Sequence, residues 1–205
     1  MKKYTRQRPT PQRSARAPTG RIRIIGGQFR RTPIAVVAMP GLRPTPDRVR
    51  ETVFNWLEHL LGDLRETCAL DLFAGTGALG FEMASRGAGR VVLVESNERS
   101  AQALRLLRQR LAATAVEVVQ ADWRTALAQL AGGSFDVIFL DPPYGSGILD
   151  SALGAARPLL ARAGLIYAEA PKALDAVQLA EQGWDLVRAG KAGGVYFHLL
   201  RARSC

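Results

Sequence analysis

Cysteine and histidine are nearly missing from this 205-residue sequence, with two of each, and their scarcity removes several function classes at once. Cys68 falls in a run that reads as a buried strand and Cys205 is the last residue, so neither a disulfide framework nor a thiolate metal site is expected. His59 and His198 add no ligand cluster, and no metal centre is expected. No apolar run reaches the roughly 18 residues of a membrane span, and the N-terminal stretch lacks the apolar core of a secretory signal; the expected compartment is the cytoplasm. What is present is ordinary core material. At 47% hydrophobic and 22% charged residues, the composition suits one α/β domain with an appendage.

Acid is also absent from the first 46 positions, where Asp47 is the first carboxylate. Residues 1–50 carry 13 Lys and Arg against that one acid, a charge of +12, whereas the remaining 155 residues sum to −2. A near-neutral body with a basic front end points to a polyanion partner, nucleic acid first. Residues 1–20 are rich in Arg, Pro, Ser and Thr and are expected to be a disordered basic tail. A purely solubilising tail is the plainer reading of that segment, and its prolines argue against a helical transit peptide. Residues 21–45 read as a β-hairpin and linker. Arg21 to Ile25 alternates, Gly26-Gly27 offers a two-residue turn, and Gln28 to Val37 returns, so the hairpin carries Arg21, Arg23, Arg30 and Arg31. Thr45 can cap, and Pro46 start, a helix with Val49, Val53, Trp56, Leu57 and Leu60 on one face.

From there to residue 205 the pattern is strand, turn, helix, repeated. Cys68 to Phe73, Val91 to Glu95, Val116 to Val119, Phe135 to Leu140 and Leu165 to Glu169 are short apolar runs suited to buried parallel strands. Helices fit at Ala78 to Ser85, Glu98 to Leu111, Arg124 to Leu130 and Ile148 to Leu160. Trp184 to Val187 and Val195 to Leu200, joined by Ala189 to Gly194, close the sheet as an antiparallel hairpin. The expected fold class is therefore α/β: a doubly wound, mostly parallel, Rossmann-like sheet with helices on both faces.

Asp71-Leu-Phe-Ala-Gly-Thr-Gly-Ala-Leu-Gly80 follows a strand and opens a helix, which places Gly75, Gly77 and Gly80 in a nucleoside-cofactor spacing. Glu95 ends the next strand, where a carboxylate can take ribose hydroxyls. An acid ahead of the glycines repels pyrophosphate but suits a cationic amino-acid tail, which favours S-adenosylmethionine over a nicotinamide cofactor. Asp122 beyond the third strand can meet an adenine amino group and Trp123 can stack on it; the plainer reading of this pair is a helix cap and a packing aromatic.

The strand ending at Leu140 runs into Asp141-Pro142-Pro143-Tyr144 at the edge where doubly wound sheets place ligands. An exocyclic base amine is a poor nucleophile because its lone pair is delocalised into the ring. Asp141 and the Pro142 carbonyl can each accept one N–H and so localise that lone pair, the prolines fix the carbonyl, and Tyr144 offers a stacking face. Without this setting the tetrapeptide would read as a strand-ending turn.

Arg23-Ile-Ile-Gly-Gly27, Gly41-Leu-Arg-Pro-Thr-Pro-Asp-Arg-Val-Arg-Glu-Thr-Val-Phe-Asn-Trp56, Asp71 to Gly80 and Asp141 to Tyr144 together carry a resemblance. From about Arg21 to Arg201 the chain resembles the RsmD-type guanine-N2 methyltransferases of small-subunit (16S) ribosomal RNA. The resemblance implies an S-adenosylmethionine-dependent methyltransferase domain over 46–205. It implies methyl transfer to the 2-amino group of one guanine, with S-adenosylmethionine as cofactor. The implied partner is ribosomal RNA, in the small subunit or an assembly intermediate, and the protein is expected to be a monomer. Cofactor contacts would be Asp71, Phe73, Gly75, Gly77, Glu95 and Asp122, with Ala74, Thr76, Ser96 and Trp123 beside them and Asp141 bordering both ligands. Asp141, Pro142, Pro143 and Tyr144 would form the amine site. Arg21, Arg23, Arg30, Arg31, Arg43 and Arg48 would meet RNA, as would Lys191, which with Gly193 matches the family's Lys-x-Gly stretch in the link before the last strand. The Arg-rich extension is longer than the resemblance requires, and Gly145 to Leu149 is a variable rim. The arginines at 43–50 also admit a reading in which they pair with Asp47 and dock the helix.

Among other classes, an adenine-N6 DNA methyltransferase would use the same tetrapeptide, but this chain offers little beyond a hairpin and a tail for reading a DNA sequence. Protein glutamine methylation would leave the basic front end without a target. A non-catalytic RNA binder would have no use for Asp141 to Tyr144, and a nicotinamide oxidoreductase would lack a hydride-transfer acid.

Overall fold

The computed structural model describes residues 22–36, 45–143 and 146–203. The 1–20 tail, Arg21, Arg43, Tyr144 and Gly145 lie outside the described residues. The elements in chain order are β1 (Ile22–Arg23), β2 (Pro33–Ile34), α1 (Asp47–Leu61), β3 (Cys68–Asp71), α2 (Ala78–Ser85), β4 (Arg90–Glu95), α3 (Glu98–Arg110), β5 (Val116–Gln120), α4 (Trp123–Leu127), β6 (Phe135–Leu140), α5 (Ile148–Ala156), β7 (Leu160–Ala170), α6 (Ala176–Glu181), β8 (Trp184–Ala192) and β9 (Val195–Ala202). Seven strands form one sheet in the order β5-β4-β3-β6-β7-β9-β8. The first five of these pair in parallel and β9 and β8 run antiparallel, which is the expected fold class.

This order follows from burial on both faces. In β4, Val91 and Leu93 point into one apolar cluster with α1, α2 and α3, and Val92 and Val94 into the other with α4 and α5, so the strand reads as continuous hydrophobicity. The chain leaves β3 for β4 and β5, then returns to the other side of β3 with β6. The strand order therefore reverses at β3, and the carboxyl ends of β3 and β6 lie side by side, with Asp71 in register with Phe139. No helix among the described residues is long and apolar enough to cross a membrane.

The N-terminal hairpin differs from its expected form. β1 and β2 pair Ile22 with Ile34, but the turn lies at residues 28–31, and Gly26-Gly27 instead forms a dock on α2. The Glu82 carboxylate accepts from Ile25 N at 2.7 Å and Gly26 N at 2.8 Å, while Gln28 N donates to the Ser85 carbonyl at 2.7 Å. Gly27 has φ 71°, and a Cβ there would lie 1.8 Å from the Ser85 carbonyl oxygen. Glycine is required here by close approach to another element, a long-range cause that a local turn signal cannot reveal.

Thr45 does not cap α1. Pro46 precedes the helix with no side-chain cap bond, and the Thr45 hydroxyl turns toward strand-end carboxylates instead. Lys191 lies inside β8, since that strand runs to Ala192 and only Gly193-Gly194 remain as the turn. α6, capped by Asp175 through Val177 N and Gln178 N, was not expected: it buries only Leu179 and leaves little periodic signal.

Candidate functional site

Four neighbouring parallel strands bring a carboxyl group to the same edge of the sheet: Asp71 at the end of β3, Glu95 at the end of β4, Asp141 just beyond β6, and Glu169 near the end of β7. Asp71 is buried. Its Oδ2 accepts from Gly80 N at 3.1 Å, and its Oδ1 has no hydrogen-bond partner among the described residues. Burial pushes this carboxyl up to about 7, with the Gly80 amide pulling it back and the Glu95 charge adding to the rise. A cation placed against Oδ1 would hold the group ionised and satisfy it. That is the donor set a sulfonium or ammonium requires and the reverse of what a pyrophosphate requires.

The glycine loop is shaped by the same carboxylates. Glu95 Oε2 accepts from Gly75 N at 2.8 Å and Oε1 from Asn97 N at 2.7 Å, which ties the loop after β3 to the loop after β4. Gly75 and Gly77 have φ of 52° and 76°, the left-handed region, and Gly77 stands at the start of α2. Gly80 is a packing glycine, because a Cβ there would lie 2.1 Å from Leu93 Cδ2. Ala74 is buried, Thr76 half-buried and Ser96 exposed along these loops. Gly75 and Thr76 also line an apolar cavity of about 170 Å³ with Ile34, Ser100, Leu104 and Leu107, on the side of the glycine loop where β2 meets α3.

Asp122 is exposed and caps α4, accepting from Arg124 N at 2.9 Å. Trp123 is buried, with the Phe73 ring 6.0 Å away and the Arg124 guanidinium 4.3 Å from its own ring. Asp122 thus serves as a cap and Trp123 packs beneath it, while Phe73 beside them is half-buried.

Asp141 follows β6 directly, with Pro142 buried and Pro143 exposed after it. The Pro143 carbonyl accepts from Ser146 N at 3.3 Å. Burial holds the Asp141 carboxyl well above the ordinary carboxylate range, and the charges of Glu169 and Asp71 raise it further, against the Thr45 hydroxyl contact. Sequence reading gave Thr45 only a capping role and Tyr167 and Glu169 only a place in a strand, and put none of the three in the site. Thr45 Oγ1 donates to Glu169 Oε1 at 2.8 Å and lies 3.4 Å from Asp141 Oδ2, and Tyr167 Oη donates to Glu169 Oε1 at 2.6 Å. The signal that could have found Glu169 is a charge closing an otherwise apolar strand at the same edge as three other acids.

Two of the basic positions lie near this edge: Arg48 is three residues beyond Thr45, and Lys191 pairs with Tyr196, which pairs with Ala170 beside Glu169. Arg30 and Arg31 are exposed in the turn at 28–31, Arg48 is exposed on the first turn of α1, and Lys191 is exposed with its Nζ 4.7 Å from the Tyr196 ring centre. Arg23 Nε pairs with Asp47 at 3.4 Å, while Arg50 is fully buried and donates to Asp47 Oδ1 at 2.6 Å. Of the arginines at 43–50, Arg50 thus makes the docking pair with Asp47, and Arg23 joins it from β1.

Residues 22–201 match the family described as Conserved hypothetical protein 95. The chain is 39% identical over 183 residues to ribosomal RNA small subunit methyltransferase D of Escherichia coli K12, covering 88% of this chain and 90% of that protein. It is 35% identical over 185 residues to the protein of the same name from Haemophilus influenzae, covering 88% and 93%. Among solved structures, the yhhF protein of Escherichia coli superposes with a TM-score of 0.75 at 37% identity, over 91% of this chain and 100% of that one.

Proposed function

The chain belongs to the Conserved hypothetical protein 95 family and is a ribosomal RNA methyltransferase of the RsmD type, and on that premise we propose that it methylates the exocyclic 2-amino group of one guanine in small-subunit (16S) ribosomal RNA, using S-adenosylmethionine. The observation that carries this reading is the juxtaposition of Asp141-Pro142-Pro143 with the buried, half-satisfied Asp71 and its glycine loop at the strand reversal.

When bound, S-adenosylmethionine supplies an electrophilic methyl on a cationic sulfur. Asp71 holds the cationic amino-acid end of that cofactor, Glu95 the ribose, and Phe73 and Asp122 the adenine, with Ala74, Gly75, Thr76, Gly77, Ser96 and Trp123 shaping the pocket. Asp141 and the Pro142 carbonyl accept the two N–H groups of the target amine and turn its lone pair toward the methyl, with Pro143 fixing the backbone and Tyr144 stacking on the base. Residues 46–205 are the catalytic body in this reading, and residues 21–45 with Arg48 and Lys191 meet the RNA. The protein works as a cytoplasmic monomer on the small subunit or a precursor of it.

The direct test incubates labelled S-adenosylmethionine with unmethylated small subunits, naked ribosomal RNA and genomic DNA, and identifies the modified nucleoside by mass. N2-methylguanosine from the ribosomal samples alone is the expected product. N6-methyladenine from DNA would overturn the substrate, and no label anywhere would overturn the activity.

Two further outcomes are expected. Glu95→Ala weakens cofactor binding by roughly tenfold to a hundredfold, since it removes an acceptor that also clamps Gly75, and leaves RNA affinity unchanged; titration calorimetry with S-adenosylhomocysteine and a filter-binding assay read the two separately. Deleting residues 1–20 removes six Lys and Arg. The slope of log RNA affinity against log salt then flattens by up to about 4, with no change in the base modified. An unchanged slope would assign the tail no phosphate contacts.

A further inference from the structure

β3, β6 and β7 are adjacent, so Asp71, Asp141 and Glu169 form one row at the reacting edge. Leu140 pairs with Ala168, and Asp141 and Glu169 are the next residues along their chains. Glu169 is buried, and its Oε1 accepts from both Tyr167 Oη, at 2.6 Å, and Thr45 Oγ1, at 2.8 Å. A hydroxyl has a single proton, and the shorter contact takes it; a lone pair of Thr45 Oγ1 is then left toward Asp141 Oδ2, 3.4 Å away. A carboxyl group that gains a proton on Oδ2 therefore finds an acceptor already in place.

We infer that Asp141, Thr45 and Glu169 form the route by which the target amine loses its proton: Asp141 receives it, and Thr45 relays it to Glu169. This rests on the methyltransferase reading above and names the groups that complete its reaction. As the nitrogen lone pair forms the N–C bond, the methyl–sulfur bond breaks with its electron pair remaining on sulfur. The cofactor loses its positive charge and the amine gains it. One N–H bond then gives its electrons back to nitrogen while the proton passes to Asp141. The Asp141 O–H next donates to Thr45 Oγ1 as the Thr45 proton moves to Glu169 Oε1, which restores Asp141 as a carboxylate. Thr45 and Glu169 act through Asp141 in this route, so they are positioning residues.

The charge environment favours the first of these transfers, from the amine to Asp141. The groups set against Asp141 are Asp71 from β3, Glu169 from β7 and the Thr45 hydroxyl ahead of α1; both carboxylates increase the proton affinity of Asp141. Removing the Glu169 charge must therefore move the protonation of Asp141 to lower pH as well as slow the reaction.

The test measures single-turnover methyl transfer to unmethylated small subunits from pH 5 to 9, with S-adenosylhomocysteine affinity measured beside it. Glu169→Gln is expected to reduce the rate roughly tenfold to a hundredfold at neutral pH, to shift the acid limb of the profile downward, and to leave cofactor affinity within about twofold. Thr45→Val is expected to give the same loss and Thr45→Ser to restore most of the rate, because only the hydroxyl is needed. A Glu169→Gln rate and profile equal to wild type would overturn the relay, as would Thr45→Ser being as slow as Thr45→Val. If Glu169→Gln fails to fold, the Thr45 pair decides alone. Wild-type protein that makes no N2-methylguanosine would instead overturn the reading on which the relay rests.

Discussion

Asp141→Ala is expected to lower the methyl-transfer rate by roughly a thousandfold, since it removes at one stroke an acceptor that orients the amine and the first recipient of its proton. Cofactor affinity should change little, because Asp71, Glu95 and the glycine loop, on β3 and β4, hold that ligand in the proposed site. The fold should not suffer either, and the sign of the linkage says why. Burial and the neighbouring charges hold the Asp141 carboxyl well above its ordinary range in the folded protein. The native state thus keeps this proton more tightly than the unfolded chain does. Stability attributable to this group falls as pH rises from the ordinary carboxylate range through the raised value, and above it the carboxylate is a net cost. At pH 8 the alanine variant should therefore melt no lower than wild type, and at pH 4 the two should converge. Rapid-quench rates, cofactor titration and melting curves separate these effects. A parallel loss of rate and cofactor affinity would move Asp141 out of the amine site and into the cofactor site.

The residues that could be read from sequence are those whose job is local. α2 and β6 lie at their expected bounds, Ala78–Ser85 and Phe135–Leu140, because a glycine loop opens the one and a proline pair ends the other. Asp71, Glu95 and Asp141 could be singled out because each ends an apolar strand beside a recognisable loop. Glu169 ends a strand too, but neither glycines nor prolines follow it at once. Thr45 looks like a cap in sequence, since it precedes Pro46 at the head of a helix, yet its partner Glu169 is 124 residues away. Gly26-Gly27 looks like a hairpin turn for the same kind of reason. Its requirement is set by Ser85 and Glu82, more than fifty residues on, and no periodicity carries information of that range.

The Glu82 dock gives the second large expected effect. Glu82 is fully buried and accepts from Ile25 N, Gly26 N and Arg86 Nε within 3.0 Å, with Arg50 NH1 3.7 Å away. Arg50 is also fully buried and reaches Asp47 and the Arg23 carbonyl, so one carboxylate joins residues 23–26, α1 and α2. Glu82→Ala leaves two backbone N–H groups without acceptors and removes the more distant of the two carboxylates facing the buried Arg50, which keeps Asp47. The expected loss is about 3–5 kcal/mol, from two unsatisfied backbone N–H groups together with a weakened buried ion pair. For a chain of this length that corresponds to a melting temperature lower by about 6–20 °C. The functional consequence should be selective. Once the strap over α2 is loose, the exposed Arg30 and Arg31 in its turn are no longer held against the catalytic body, so RNA affinity should drop while S-adenosylhomocysteine affinity stays near wild type. Glu82→Gln keeps one acceptor oxygen and should fall between. A melting temperature within about 2 °C of wild type would mean that Ile22, Ile24 and Ile34 hold the strap by apolar contact alone, with the carboxylate network contributing nothing to its attachment.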